Sequence, residues 1–167
     1  MPYRFIFIVA CLLIVGCSAN REPNPVQLTL ALESYASPQE VERRLGSIML
    51  GSEVLEDTKK APSDPRPPYH RVVIMVRGIT DFNVPGSTRL TFFNERLSSV
   101  WFYPEDPEKY RKALQKRFGV DLGKSGDTRL SGGTVVRLAT DYEGKSYVAF
   151  DDAVLNEEHN QWIRVNT

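Results

Sequence analysis

The sequence predicts an α+β domain with one largely antiparallel sheet of about five to six strands and about two to three short helices on one face. Two pairs of apolar segments, 88–93 with 97–103 and 134–140 with 145–151, are each separated by only a few turn-forming residues. Helices with recognisable caps lie before, between and after these pairs. Strands this close in the chain pair antiparallel, because a parallel pair needs a crossover of about a dozen residues or more.

The predicted domain begins with a strand and a short helix. Residues 26–33 alternate apolar and less apolar side chains with a period of two, which is typical of a half-buried strand. Further along, Ser37 is a helix N-cap, Pro38 takes the first helical position and Glu40 completes a capping box. We therefore expect a helix over 38–45.

Residues 51–69 predict a long surface loop, because polar residues and prolines dominate them. A strand signal appears only near Val54 and Leu55. The run 71–79 is apolar on both faces, and we expect it to be a central strand. A turn at 84–86 then leads into the first hairpin.

The helix after that hairpin has clear boundaries. Asp106 is its N-cap, and Tyr110, Leu114 and Phe118 recur at helical spacing. Gly119 follows its last turn, where glycine commonly ends a helix.

The remainder of the chain predicts a connection, a hairpin and a final helix. Glycines in 121–133 indicate an irregular connection to the second hairpin, whose turn is expected at 142–144. Residues 156–163 predict a short last helix with acidic residues in its first turn, and we expect Trp162 to pack it against the sheet.

The first 16 residues have the composition of an export signal. Arg4 precedes an apolar run over 5–15, which is too short to span a bilayer, since a spanning helix needs about 20 apolar residues. The run ends in Ile14-Val15-Gly16-Cys17, which resembles the lipobox of bacterial lipoproteins. The resemblance implies cleavage between Gly16 and Cys17 and acylation of Cys17. Because position 18 is Ser and not Asp, it also implies delivery to the outer membrane, facing the periplasm.

This interpretation divides the chain into a cleaved signal at 1–16, a lipidated tether at 17–25 and one domain at 26–167. Cys11 leaves with the signal and Cys17 carries lipid, so no thiol remains for a disulfide or a thiolate metal site. The 21 basic and 21 acidic residues balance, and no strongly basic face is implied. Nucleic acid and nucleotides are therefore not expected as partners.

Catalytic motifs do not have their required spacing. The tripeptide Gly123-Lys124-Ser125 resembles the end of a phosphate-binding loop, but Phe118 stands where that motif needs glycine. Neither His70 nor His159 has a second histidine at metal-ligand spacing. We predict no catalytic residue, no cofactor and no metal site.

Residues 92–93 and 101–103 carry five aromatic side chains. Because strand residues alternate, about half of them face the core and about half lie on the second face of the sheet. That second face is either covered by the long loop or exposed as a binding surface. Phe82 and Val84 are our predicted partner-binding residues, in the loop before the first hairpin.

The predicted function is a lipid-anchored, periplasm-facing protein-binding module, an accessory or assembly factor of the envelope with a protein partner. Segments 36–46 and 90–103 resemble the small outer-membrane lipoproteins of the barrel-assembly accessory type, and this resemblance transfers no residue role. An inhibitor or immunity lipoprotein that blocks a periplasmic enzyme or toxin is the alternative. A hydrolase with an unrecognised site is the third hypothesis.

Overall fold

The computed structural model describes residues 24–119, 127–130 and 132–167. The predicted signal, Gly16 and the lipidation residue Cys17 lie outside these residues, as does most of the glycine-containing connection before the second hairpin. The described part confirms the α+β class with a single antiparallel sheet. Over residues 24–119, 127–130 and 132–167 the sheet has seven strands rather than five to six, in the order β1-β2-β3-β4-β7-β6-β5.

The strands and helices have the following bounds. The strands are β1 (Glu53–Lys59), β2 (His70–Asp81), β3 (Val84–Phe93), β4 (Arg96–Pro104), β5 (Thr128–Arg129), β6 (Thr134–Thr140) and β7 (Ser146–Asp152). The helices are α1 (Pro38–Leu45), α2 (Pro107–Phe118) and α3 (Ala153–Asn166), with a 3₁₀ helix at Gly46–Gly51. Among the described residues, no helix combines the length and apolar character that crossing a membrane requires.

Both cap predictions are confirmed. The Ser37 side chain accepts from the Glu40 backbone N–H while the Glu40 carboxylate accepts from the Ser37 backbone, so α1 has a complete capping box. Asp106 accepts from the Lys109 backbone and starts α2, which ends at Gly119 with a left-handed φ of 68°. These ends depend on neighbours in the sequence, which is why the sequence predicts them.

The strand predicted at 26–33 is wrong. Leu30 and Ala31 have positive φ values of 58° and 55°, so the chain turns back on itself. A single bridge between Gln27 and Glu33 is all that remains of β pairing. The apolar side chains at alternate positions are nevertheless inside or against the core, because the tight turn packs them there.

Two boundaries around the first hairpin also differ. The segment predicted as loop at 51–69 contains the full strand β1, and only 60–69 is irregular. The turn lies at Phe82 and Asn83, which have φ values of 49° and 60°, and not at 84–86. Gly86 instead allows a close approach of strands: a Cβ there would lie 2.3 Å from the Tyr103 carbonyl oxygen.

The sheet has a core face and an open face. On the core face, Phe102 packs against Tyr110 of α2 with ring centroids 4.7 Å apart. On the opposite face, Phe93 contacts His159 of α3 at 5.1 Å. Helices therefore pack on both faces, and the expectation of helices on one face only is corrected, because α3 crosses one end of the open face.

Helix α3 is longer than predicted and begins at Ala153, because Asp152 caps it through the backbone N–H groups of Val154 and Leu155. Trp162, which we expected to pack α3 against the sheet, contacts the loop before β2, where its ring lies 4.4 Å from that of Tyr69. Its indole donates to the Pro67 carbonyl at 3.2 Å, and so it ties α3 to the proline-rich loop.

Candidate binding groove

The open face of the sheet carries a groove of about 770 Å³ at the end that α3 leaves uncovered. Strand β1 forms one wall and the β6–β7 turn forms the other, while β2, β3 and β4 supply the floor. The groove lining includes Leu55, Arg77, Arg89, Tyr103, Glu105 and Tyr142.

Arg89 lies on the floor of this groove, half-buried in the middle of β3. Its guanidinium carbon lies over the Trp101 ring, 4.6 Å from the ring centroid. Among the described residues, no carboxylate oxygen lies within 4.0 Å of its nitrogens, whereas Arg77 of the same face is paired with Glu53 at 2.9 Å. Its Nε is buried and has no acceptor within the part of the chain that the structure describes.

An aromatic stack holds Arg89 in place from below. Trp101 stacks on Tyr147 at 4.5 Å with an interplanar angle of 14°, and Tyr103 lies 5.3 Å from the same ring. Burial raises the pKa of the Tyr103 hydroxyl, and the positive charge of the neighbouring Arg89 opposes that rise. Arg89 thus lies against a cluster of aromatic rings that runs from Tyr103 in the groove to Trp101, which lines the smaller pocket described below.

The rim of the groove is polar and exposed. Tyr142, at the tip of the β6–β7 turn, has 94% of its surface exposed. Lys145 pairs with Glu143 at 2.7 Å across the same turn. The Asp141 carboxylate accepts from the backbone N–H groups of Glu143 and Lys145, both at 2.9 Å, and so it shapes the turn.

A smaller pocket of about 150 Å³ lies under α3 and contains Ser99, Asp151 and His159. These residue types suggest a hydrolase triad, but the bonding differs from one. The Ser99 hydroxyl donates directly to Asp151, and the His159 ring bonds the Tyr69 hydroxyl at 3.2 Å. A serine nucleophile needs the imidazole as its base, so this arrangement does not activate Ser99.

His70 lies at the sheet end near the β3–β4 turn. Its ring nitrogens bond Asp57 at 2.8 Å and Glu95 at 2.5 Å. Burial alone lowers the pKa of His70, but the two carboxylates outweigh burial and raise it. In the described ranges no group of three or more His, Cys, Asp or Glu side chains has the arrangement of a metal site.

The predicted partner-binding residues are not surface residues of this groove. Val84 is 0% exposed in the core, and Phe82 packs between Tyr110 and Phe118 with ring centroids 6.0 Å from each. The proximity of these apolar residues to a turn suggested exposure, but Val84 is part of the core and Phe82 packs against two rings of α2. Phe82 and Val84 are therefore not part of the proposed binding surface.

Sequence reasoning indicated part of the groove and missed its cation. The aromatic alternation placed one set of side chains on a second sheet face, and Trp101 and Tyr103 lie there. Arg89 was missed, although a charged residue between Thr88 and Leu90 in a strand pattern signals a polar sheet face.

Comparison with models of known protein families gives no match, and no curated protein sequence matches the chain significantly. The proposals below therefore depend on the geometry of the groove and on the pattern of the N-terminal segment.

Proposed function

We propose that this chain is a lipid-anchored, periplasm-facing protein-binding module of the bacterial outer membrane, an accessory or assembly factor and not an enzyme. The groove on the open face is the observation that carries the binding role. The Ile14-Val15-Gly16-Cys17 lipobox pattern supports the anchoring through Cys17. Nucleic acid is not among its partners, because charge is balanced and the groove is lined by both signs.

The size of the groove suits a peptide segment of the partner. It crosses β1, β2, β3 and β4, and three inter-strand spacings of about 4.8 Å make roughly 14 Å. That width accommodates about four residues of extended chain. Exposed apolar and aromatic side chains at its walls, Leu55 at 46% and Tyr142 at 94% exposure, offer contacts of the kind that dominate protein interfaces.

Site-specific photocrosslinking in living cells tests the proposal. A benzophenone amino acid replaces Tyr142 at the groove, or Lys112, an exposed residue of α2 on the core-face side, as the matched control. We expect one discrete envelope protein to crosslink from position 142 and not from position 112. Equal patterns from both positions, or none from position 142, would contradict binding through the groove.

A further inference from the structure

We propose that Arg89 is the recognition residue of the groove and that it binds a carboxylate of an extended peptide segment. This inference deepens the proposed function and rests on it. The carboxylate comes either from an acidic side chain or from a peptide C-terminus, because both present the same pair of oxygens.

Arg89 has no internal counter-ion among the described residues. A half-buried cation is normally paired, since desolvation of an unpaired charge is costly. On the same sheet face, Arg71 is bonded to Glu56 and Arg137 to Asp151 at 3.1 Å. Glu56 is close enough to interact with Arg89 through space, but Arg71 holds it. Within the described residues, Arg89 is left as the floor cation without a carboxylate in contact.

The shape of the Arg89 side chain also suits a carboxylate. A guanidinium presents a planar fork of donors that matches a carboxylate in two parallel hydrogen bonds. Trp101 stacks under this fork and restricts its plane, so less side-chain freedom is lost when a ligand binds. The buried Arg89 Nε has no acceptor among the described residues, so one donor of this fork is left unsatisfied.

The charge of the groove lining selects among anions. Among the described residues, seven charged ones line the groove: Glu53, Arg77, Arg89, Glu105, Asp141, Glu143 and Lys145. Four of them are acidic and three are basic. A phosphate carries more charge than a carboxylate and is repelled more strongly by this rim. A single carboxylate on an otherwise neutral segment therefore fits best.

Tryptophan fluorescence of the full chain in detergent tests the assignment. The chain has two tryptophans, so a Trp162→Phe background leaves Trp101 as the only reporter, directly under Arg89. The probes are a capped pentapeptide with a central glutamate, the same peptide with glutamine, the glutamine peptide with a free C-terminal carboxylate, and inorganic phosphate. The two carboxylate peptides separate the two sources of the anion.

We expect at least one carboxylate peptide to bind about tenfold more tightly than the capped glutamine peptide, since a hydrogen bond to a charged group is worth about that factor or more. Arg89→Gln should remove this preference, and Arg89→Lys should retain part of it. Arg111→Gln is the matched control and should leave it unchanged, because Arg111 lies on α2 outside the groove and is paired with Glu108.

Three results would overturn the assignment: equal binding of the acidic and neutral peptides, an undiminished preference in a folded Arg89→Gln protein, or tighter binding of phosphate than of either carboxylate peptide. The Tyr142 crosslink separates this failure from that of the proposed function. If the groove-specific crosslink is retained in the Arg89→Gln protein, the carboxylate contact is rejected but the proposed protein-binding function is not.

Discussion

The Tyr110 hydroxyl donates a hydrogen bond of 2.5 Å to the Asp81 carboxylate in the interior of the protein. Thr29 donates to the same oxygen, so the N-terminal turn, β2 and α2 meet at one buried acid. Burial raises the pKa of Tyr110, and the nearby Asp81 charge raises it further, so the phenol remains a donor. The contact joins three parts of the chain that share no local sequence signal.

Tyr110→Phe should lower the free energy of unfolding by about 1–3 kcal/mol, because it removes one donor from a buried carboxylate and keeps the ring in place. Urea denaturation measures the loss. Tyr142→Phe is the control, since that hydroxyl is on a 94% exposed residue and its loss should change stability by less than about 0.5 kcal/mol. Equal effects of the two variants would show that the Asp81 contact adds nothing.

Gly86→Ala should destabilise the domain by about 3 kcal/mol or prevent folding, because the new Cβ would lie 2.3 Å from the Tyr103 carbonyl oxygen. Thermal unfolding tests this. Gly51→Ala offers a matched control, since a Cβ there meets no atom within 4 Å. A Gly86→Ala protein as stable as the Gly51→Ala protein would disprove the close approach of β3 and β4.

His70 should contribute stability at low pH and lose it as pH rises. Burial lowers its pKa, but the hydrogen bonds to Asp57 and Glu95 outweigh burial, and the folded-state pKa lies above the usual 6.5. A raised folded pKa means that the stabilisation is complete below about pH 6.5 and disappears as pH rises through the folded value.

The measurement is the stability difference between the unmodified protein and His70→Gln, taken by urea denaturation from about pH 5.5 to about pH 9. We expect the difference to shrink across that range. A difference that is constant or grows with pH would refute the ion pairs as its source.

Trp162→Ala should release the proline-rich loop from α3. The indole donates to Pro67 at 3.2 Å and packs on Tyr69 with ring centroids 4.4 Å apart, and alanine removes both contacts. Limited trypsin digestion is the measurement, and faster cleavage after Lys60 is the expected result. Trp162→Phe, which keeps an aromatic ring, should stay close to the unmodified rate; equal cleavage in all three proteins would mean that the loop does not depend on Trp162.

Cys17→Ser should abolish membrane association, because the acyl chains proposed for this sulfur are the anchor. Labelling of cells with a radioactive fatty acid, followed by membrane fractionation, measures both properties. Cys11→Ser is the matched control, since Cys11 lies within the proposed signal and should not affect the label. Labelled, membrane-bound Cys17→Ser protein would rule out lipidation at this residue.

Features governed by near neighbours were predictable from the sequence. The α1 capping box, the Asp106 cap and the β3–β4 turn at Asn94 and Glu95, which have φ values of 47° and 63°, all involve residues within a few positions of each other. Local hydrogen bonds and backbone preferences specify such features without knowledge of the rest of the chain.

Features governed by distant contacts were not predictable in the same way. Val84-Pro85-Gly86 has turn-forming residues, yet Gly86 serves the packing of β3 on β4 and the turn lies at Phe82 and Asn83. The groove depends on Arg89 meeting Trp101 across two strands, and on α3 leaving that part of the face uncovered. Neither condition is written in a short stretch of sequence.

The alternation of strand side chains ties the groove floor to the protein interior. Arg89 is followed by Leu90 and Trp101 by Phe102, and both of these apolar residues are 0% exposed on the other side of the sheet. A change in floor geometry must therefore disturb the packing behind it, whereas the Tyr142 tip of the β6–β7 turn is free to vary. In the proposed binding role, changes at that tip would alter what the groove recognises, while Arg89 beneath it stays where the interior holds it.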